Sequence, residues 1–332
     1  MKLILKGLLL SLLVSSGVMA NEAPPAKEAT AAKAAEPAKS IKAQENDIKV
    51  FVSNNSDGKI TPKIIEDIFE KSGFVIAVNN NMNVPFKGTF KKTSFDVYNL
   101  FGVFRKDTVL ALAETNPEVG LVAPITMSIY TKKGDKTISI AHLSSEAMAN
   151  IIGVKSDNKA IKDLVDNLES TLKKIMPNGK YAKLAYKSKK HKKEIITRVS
   201  FELEGDDWED AKDDFQMEFE SEMAKNKFIV AGFSDLNFDL DDKDKDWYHF
   251  YDVYSICKIE VIYKISQNNP EAGALGPCSM YMYQKKDERT VHIGFTNVYK
   301  WIEALNIEDI ESLDVLINAQ KKFEAILEKY SK

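Results

Sequence analysis

The chain has 332 residues, with 46 basic and 49 acidic side chains and 44% hydrophobic residues. That length suits about two domains, the apolar share excludes a wholly disordered or collagen-like chain, and a net charge of −3 gives no bulk attraction to nucleic acid. No run reaches the roughly 20 apolar residues of a membrane-spanning helix, so no transmembrane anchor is expected.

The first twenty residues read as an export signal. Lys2 and Lys6 form a positive start, Leu8 to Val18 a short apolar stretch, and Val18-Met19-Ala20 a cleavable end. The stretch is too short for an anchor, and the expected product is a periplasmic or secreted protein cut near Ala20. Residues 21–46 hold nine Ala and three Pro among Lys and Glu. With almost nothing to bury, they read as a disordered tether.

From residue 47 the pattern becomes that of folded domains. A strand is predicted over Ile48–Ser53. A helix follows, capped by Thr61, started by Pro62 and closed by Gly73, with Ile64, Ile65, Ile68 and Phe69 on one face. Strands are expected over Phe74–Val78 and Phe95–Phe101, a helix near Val109–Ala113, strands over Ile125–Tyr130 and Thr137–Ala141, and then paired helices. A basic linker, 177–194, carries seven Lys between Lys180 and Lys193 and reads as solvated.

The same succession returns from residue 195. Strand Ile195–Leu203 leads to a helix over Asp207–Lys225, then to strands over Phe228–Phe233 and Phe250–Cys257. Ile259, Val261, Tyr263 and Ile265 alternate like a strand, but both copies run into Asn-Pro at this point, which favours a helix. Strands over Ser279–Tyr283 and Thr290–Phe295 and paired helices close the unit. Residues 116–130 and 269–283 share seven of fifteen residues at a constant offset of 153, including Asn116-Pro117-Glu118-x-Gly120 and Asn269-Pro270-Glu271-x-Gly273. Phe74-Val75-Ile76-Ala77 likewise answers Phe228-Ile229-Val230-Ala231. Composition alone gives about one identity in such a window. Two homologous domains, 47–176 and 195–332, are therefore expected. Each would be an α+β two-layer sandwich with a mixed sheet, and the two would pack as a pseudo-dimer.

The second copy reads Tyr254-Ser255-Ile256-Cys257 and later Gly276-Pro277-Cys278, with twenty residues between the two cysteines. With Phe228-Ile229-Val230 upstream, this resembles the bacterial family known as domain of unknown function 302. Its pattern has a strand ending in Cys-Asn-Pro, a helix, an acidic-Pro-x-x-Gly turn and a strand entered through Leu-Pro-Cys. The resemblance covers about 48–176 and 195–330. It implies a compact α+β domain that tends to pair with a second copy, and it implies no activity or cofactor. Lys258-Ile259 departs from Asn-Pro, and Phe101 and Ile125 stand where the second copy has Cys257 and Cys278.

Three readings of Cys257 and Cys278 stay open: small buried hydrophobes, a disulfide, or a soft-metal or redox site. His142, His191, His249 and His292 form no ligand motif, and no P-loop, Gly-x-Ser-x-Gly or Gly-x-Gly-x-x-Gly is present. The acidic run from Asp239 to Asp246 lacks the glycine and closing Glu of a calcium loop and reads as solvated. Trp247 and Tyr251 are candidate pocket residues. The two Asn-Pro-Glu-x-Gly segments read as turns, or as the rim of a pocket between the domains. The expected function is a binding or interaction module rather than an enzyme, for a small ligand or protein still unidentified. The alternative is a thiol-dependent soft-metal or redox protein using Cys257 and Cys278.

Overall fold

The structure is a computed structural model that describes residues 46–189, 194–203, 205 and 207–330. The expected export signal, nearly all of the tether and His191 lie outside those residues.

The first half runs β1 (Ile48–Asn54), α1 (Pro62–Lys71), β2 (Val75–Asn81), α2 (Asn83–Phe90), β3 (Phe95–Phe104), α3 (Lys106–Leu112), a 3-10 turn (Pro117–Leu121), β4 (Ile125–Lys132), β5 (Thr137–Leu143), α4 (Ser145–Ile151) and α5 (Lys159–Ile175). A two-residue strand, β6 (Lys180–Tyr181), lies between the halves. The second half repeats the succession: β7 (Ile196–Glu202), α6 (Trp208–Lys225), β8 (Ile229–Asp235), α7 (Leu236–Asp241), β9 (Tyr248–Cys257), α8 (Ile259–Ser266), a 3-10 turn (Pro270–Ala274), β10 (Cys278–Lys285), β11 (Thr290–Thr296), α9 (Val298–Ala304) and α10 (Ile310–Leu327). Strand order is β2-β3-β4-β5-β1-β6 in one sheet and β7-β11-β10-β9-β8 in the other, which match once β6 is set aside. Asn116 and Asn269 precede equivalent turns, and Tyr130 and Tyr283 sit in equivalent strands.

Every pairing between the described strands is antiparallel, so the expectation of mixed sheets is corrected. The reason is local. Each helix between paired strands returns the chain to the end of the sheet that it left, and α3 or α8 with the following 3-10 turn acts as a long reversal, not a crossover.

The helices form where the sequence prescribes them. Thr61 Oγ1 accepts from Ile64 N at 3.3 Å, Pro62 opens α1, Ile65 and Phe69 are buried, and Gly73 follows the helix at φ +85°. In α5, Ile161, Leu164, Leu168, Leu172 and Ile175 form one buried stripe against the first sheet, each contributing about 1.5–3 kcal/mol of burial. Phe219, Met223, Phe323 and Ile326 do the same for α6 and α10 on the second sheet.

A single apolar cluster runs from the first half into the second, joining Leu100, Met127 and Ile129 to Tyr251, Val253, Ala272 and Tyr281. The two 3-10 turns make this junction, because each docks on the sheet of the other half. A Cβ on Gly120 would lie 2.9 Å from Tyr281 Cβ and 3.1 Å from Val253 Cγ2. One on Gly273 would lie 2.6 Å from Ser128 Cβ and 2.9 Å from Leu100 Cδ2. Only glycine lets the turn backbones approach the opposite strands so closely. Hydrogen bonds fix the contact. Tyr251 Oη accepts from Gly120 N at 2.8 Å and donates to Pro117 O, Tyr248 Oη donates to Ala113 O, and Thr126 Oγ1 donates to Ala274 O at 2.9 Å.

The segment after α5 departs from its expected solvated state. Lys180 and Tyr181 pair with Val52 and Phe51, Ala182 N donates to Val50 O at 2.8 Å, and Ser188 N donates to Asn46 Oδ1 at 3.0 Å. Residues 180–188 thus lie along β1, with Leu184 and Tyr186 packed against the core. Lys180, Lys183 and Lys187 stay exposed, and charged side chains of this kind suit the edge of a sheet.

Candidate functional site

Both cysteines border one apolar cavity of about 70 Å³ in the second half, between the second sheet and helices α8, α9 and α10. Ile256, Ile262, Trp301, Leu316 and Phe323 form much of its wall, and Lys258 stands beside them. Antiparallel pairing of β9 with β10 explains the meeting. Cys278 opens β10 opposite Ile256, and Cys257 ends β9 one residue further on, so both thiols lie at the same end of the sheet. Both are free thiols. Burial pushes Cys257 up to about 12, and the neighbouring Cys278 adds to the rise. Burial raises Cys278 to about 11, while the Trp301 indole N–H pulls the other way. That N–H is buried without an oxygen acceptor among the described residues, and the Cys278 sulfur is its neighbour. Thiols so shifted are protonated at neutral pH and are weak nucleophiles.

Lys258 is buried to the same degree as Cys257, whereas Cys278 is only partly buried. Its Nζ donates to Asn226 O at 2.7 Å, lies 3.4 Å from Glu260 and stands 4.7 Å over the Phe228 ring. Desolvation lowers its pKa.

The first Asn-Pro-Glu-x-Gly turn borders a second, polar cleft of about 410 Å³ between the halves. Asn116 Oδ1 caps the turn by accepting from Glu118 N at 3.2 Å, and its Nδ2 donates to Ile152 O at 2.7 Å. Glu118 reaches across to Arg198 of β7 at 2.6 Å. Opposite, Ser200 Oγ is 3.0 Å from His292 Nδ1, His292 Nε2 is 3.1 Å from Glu288, and the His292 ring stacks on Tyr283. The second turn has a different setting. Glu271 is buried and accepts from Tyr186 Oη at 2.8 Å. Burial raises the Tyr130 and Tyr186 hydroxyls far above the usual phenol range, and the Glu271 charge reinforces it.

The structure thus divides the predicted site residues. Cys257 and Cys278 share the apolar cavity. Asn116, Pro117 and Glu118 line the polar cleft, whereas Gly120 and Tyr251 lie beneath it in the junction. Asn269, Pro270, Glu271 and Gly273 are packed on the first sheet. Trp247 is half-buried beside Lys245 and borders neither space. In the acidic run, Asp239 is buried and bound to Lys106 at 2.5 Å, so that residue is not solvated as expected. Trp301, Tyr186, Arg198 and Ser200 went unnoticed in the sequence, because nothing local distinguishes them. Tyr283 was visible as part of the repeat.

No curated protein matches the sequence. A crystal structure of an uncharacterized conserved protein DUF302 from Bacillus stearothermophilus is 16% identical, covering 41% of this chain and 98% of that one with a TM-score of 0.34. Residues 209–330, which carry both cysteines and every wall of the apolar cavity except Leu100, match the family described as Domain of unknown function DUF302.

Proposed function

We propose that the protein is a ligand-binding module of two tandem copies of one domain, exported through its N-terminal segment. Its second copy holds a small apolar ligand between Cys257, Cys278 and Trp301. The observation that carries this reading is the apolar cavity itself. The space of about 70 Å³ is partly open to solvent and lined by Ile256, Ile262, Leu316 and Phe323, a lining that favours an aliphatic group over water. Lys258 at its wall supplies a cation for a carboxylate end, so a short aliphatic acid suits the site better than a neutral alkane. The Trp301 N–H offers a donor that the protein leaves without an oxygen acceptor.

The test is protection of the thiols. Hexanoate and hexanol are titrated into native protein while the rate of thiol modification by a disulfide reagent and the tryptophan fluorescence are followed. Binding slows modification of Cys278 and shifts the fluorescence, more for hexanoate than for hexanol. If neither ligand changes either signal up to its solubility, the reading fails.

The placement of both thiols at one sheet end supports a second reading, a soft-metal site. Two sulfurs suit Cu(I), although each must first lose a proton that burial holds tightly. Stoichiometric Cu(I) binding that is lost in Cys257→Ser and in Cys278→Ser would favour this alternative.

A further inference from the structure

The two Asn-Pro-Glu turns face equivalent positions on opposite sheets, but among the described residues only one of those positions is filled. On the first sheet, residues 180–188 run antiparallel along the outer side of β1, and Tyr186 reaches over the sheet face to donate its hydroxyl to Glu271. On the second sheet, β7 takes the place of β1, since Ile196 pairs opposite Thr296 as Ile48 pairs opposite Leu143. Glu118 takes the place of Glu271. Among the described residues no strand pairs with the outer side of β7, and the space over it is the cleft of about 410 Å³.

We propose that the open edge of β7 and the adjoining cleft receive an extended, basic segment of a partner protein. The segment adds antiparallel as an extra strand and directs an aromatic hydroxyl at Glu118. An exposed strand edge offers a ready ladder of backbone donors and acceptors. The filled position shows which occupant this architecture accepts. Its segment carries Lys180, Lys183 and Lys187 and no acid, with tyrosine at the residue that meets the glutamate.

Two features of the open position match that chemistry. Glu118 Oε1 takes the Arg198 guanidinium, and among the described residues Oε2 accepts no hydrogen bond, which leaves an acceptor for an incoming hydroxyl. The edge and its rim are also net acidic, with Glu118, Glu194, Glu202 and Glu288 against Arg198 and Arg289, which gives a basic strand electrostatic guidance. The residues that line β7 differ in the expected direction. Arg198 and Ser200 are exposed here, whereas Val50 and Val52, covered by the linker, hold the same places in β1. The proposal concerns a surface separate from the apolar cavity and does not depend on ligand binding there.

The probe is a synthetic nonapeptide with the sequence of residues 180–188, titrated into the full chain by calorimetry. The native segment is tethered at an effective concentration of order mM, so the free peptide binds more weakly, with a dissociation constant of roughly 10 μM to 1 mM. Methylating the backbone nitrogen that corresponds to Ala182, whose N–H bonds Val50 O in the first half, removes a ladder donor. It should weaken binding about tenfold, as should Glu118→Gln in the protein and phenylalanine in place of the second peptide tyrosine. Because two of these changes are in the peptide, folding of the protein is not in question. No binding at about 1 mM peptide overturns the proposal. So does equal binding by the methylated peptide, or equal binding by the Glu118→Gln protein.

Discussion

Replacing Gly273 with alanine tests the junction of the two halves at its tightest point. The added Cβ would stand 2.6 Å from Ser128 Cβ, 2.9 Å from Leu100 Cδ2 and 3.1 Å from Ser128 Cα. Carbon atoms at rest are about 3.5–4.0 Å apart, so three contacts are short by roughly half an ångström to more than one. Leu100 can yield by a rotamer change. Ser128 cannot, because it lies in the middle of β4, paired with both β3 and β5. The turn must therefore lift off the sheet, which pulls on the Thr126–Ala274 hydrogen bond two residues away. Overpacking of this kind costs about 1–3 kcal/mol, and the backbone partner puts this case near the upper end. The opposing effect is small. Gly-to-Ala changes at compatible backbone positions stabilise by about 0.4–1 kcal/mol through the unfolded chain, so a net loss of about 2 kcal/mol isolates the contact. The assay is urea unfolding followed by the fluorescence of Trp208, Trp247 and Trp301, with Gly88→Ala as control. Gly88 is helical with nothing within 4 Å of its added Cβ, and that variant should gain up to about 1 kcal/mol. If Gly273→Ala matches the unsubstituted protein within about 0.5 kcal/mol, the close docking of the turn is refuted.

Other outcomes follow from the buried polar groups. Tyr251→Phe leaves the Gly120 N–H and the Pro117 carbonyl without the hydroxyl that serves both, and should destabilise by about 2–4 kcal/mol in the same assay. Asp252 is raised from 3.8 to about 6 by burial and by Asp235 across the ladder, with Lys212 at 2.8 Å opposing. A carboxyl raised on folding favours the native state below its unfolded pKa, and that contribution is lost as pH rises from about 4 through 6. Relative to Asp252→Asn, the protein should therefore lose about 2 kcal/mol between pH 4 and pH 8, read from urea midpoints. A flat difference would contradict it. The thiols of Cys257 and Cys278, raised to about 12 and 11, should react with a disulfide reagent at pH 8 at least about 100-fold more slowly in native than in unfolded protein. His142, fully buried and lowered to about 4, should show a neutral imidazole by NMR down to pH 5.

Much of this architecture could be read from the chain. Thr61, Pro62 and Gly73 bound α1 by local chemistry, and the apolar face between them needs no distant partner to be recognised. The helical state of Ile259–Ser266 was legible only through its sister segment and the shared Asn-Pro, since its own alternation points to a strand. Elements α2 and α7 were missed for opposite reasons. The first contains Pro85 and Gly88, which weaken a helical pattern, and the second begins an acidic run whose polarity masks the buried Leu236 and Leu240. Strand β6 escaped because its partner β1 lies 130 residues upstream and lysines dominate its surroundings. Antiparallel pairing likewise depends on long-range partners, and a side-chain alternation of period two is the same in either kind of sheet. For the candidate site, the two cysteines were legible as residues but not as neighbours. The separation of 21 residues fits strand ends that are near or far, and the path of α8 and the turn decides between them.

The exchange of turns between the sheets also constrains how this chain can vary. Gly120 is matched to Tyr251, Val253 and Tyr281, the first of these 131 positions downstream, and Gly273 is matched to Leu100 and Ser128 upstream. A bulkier residue at either turn becomes acceptable only when a strand in the opposite half shrinks to receive it. Substitutions at these sites should therefore be epistatic across the length of the gene. A chimera that joins residues 46–189 to a foreign second half would inherit a turn shaped for a surface it no longer meets.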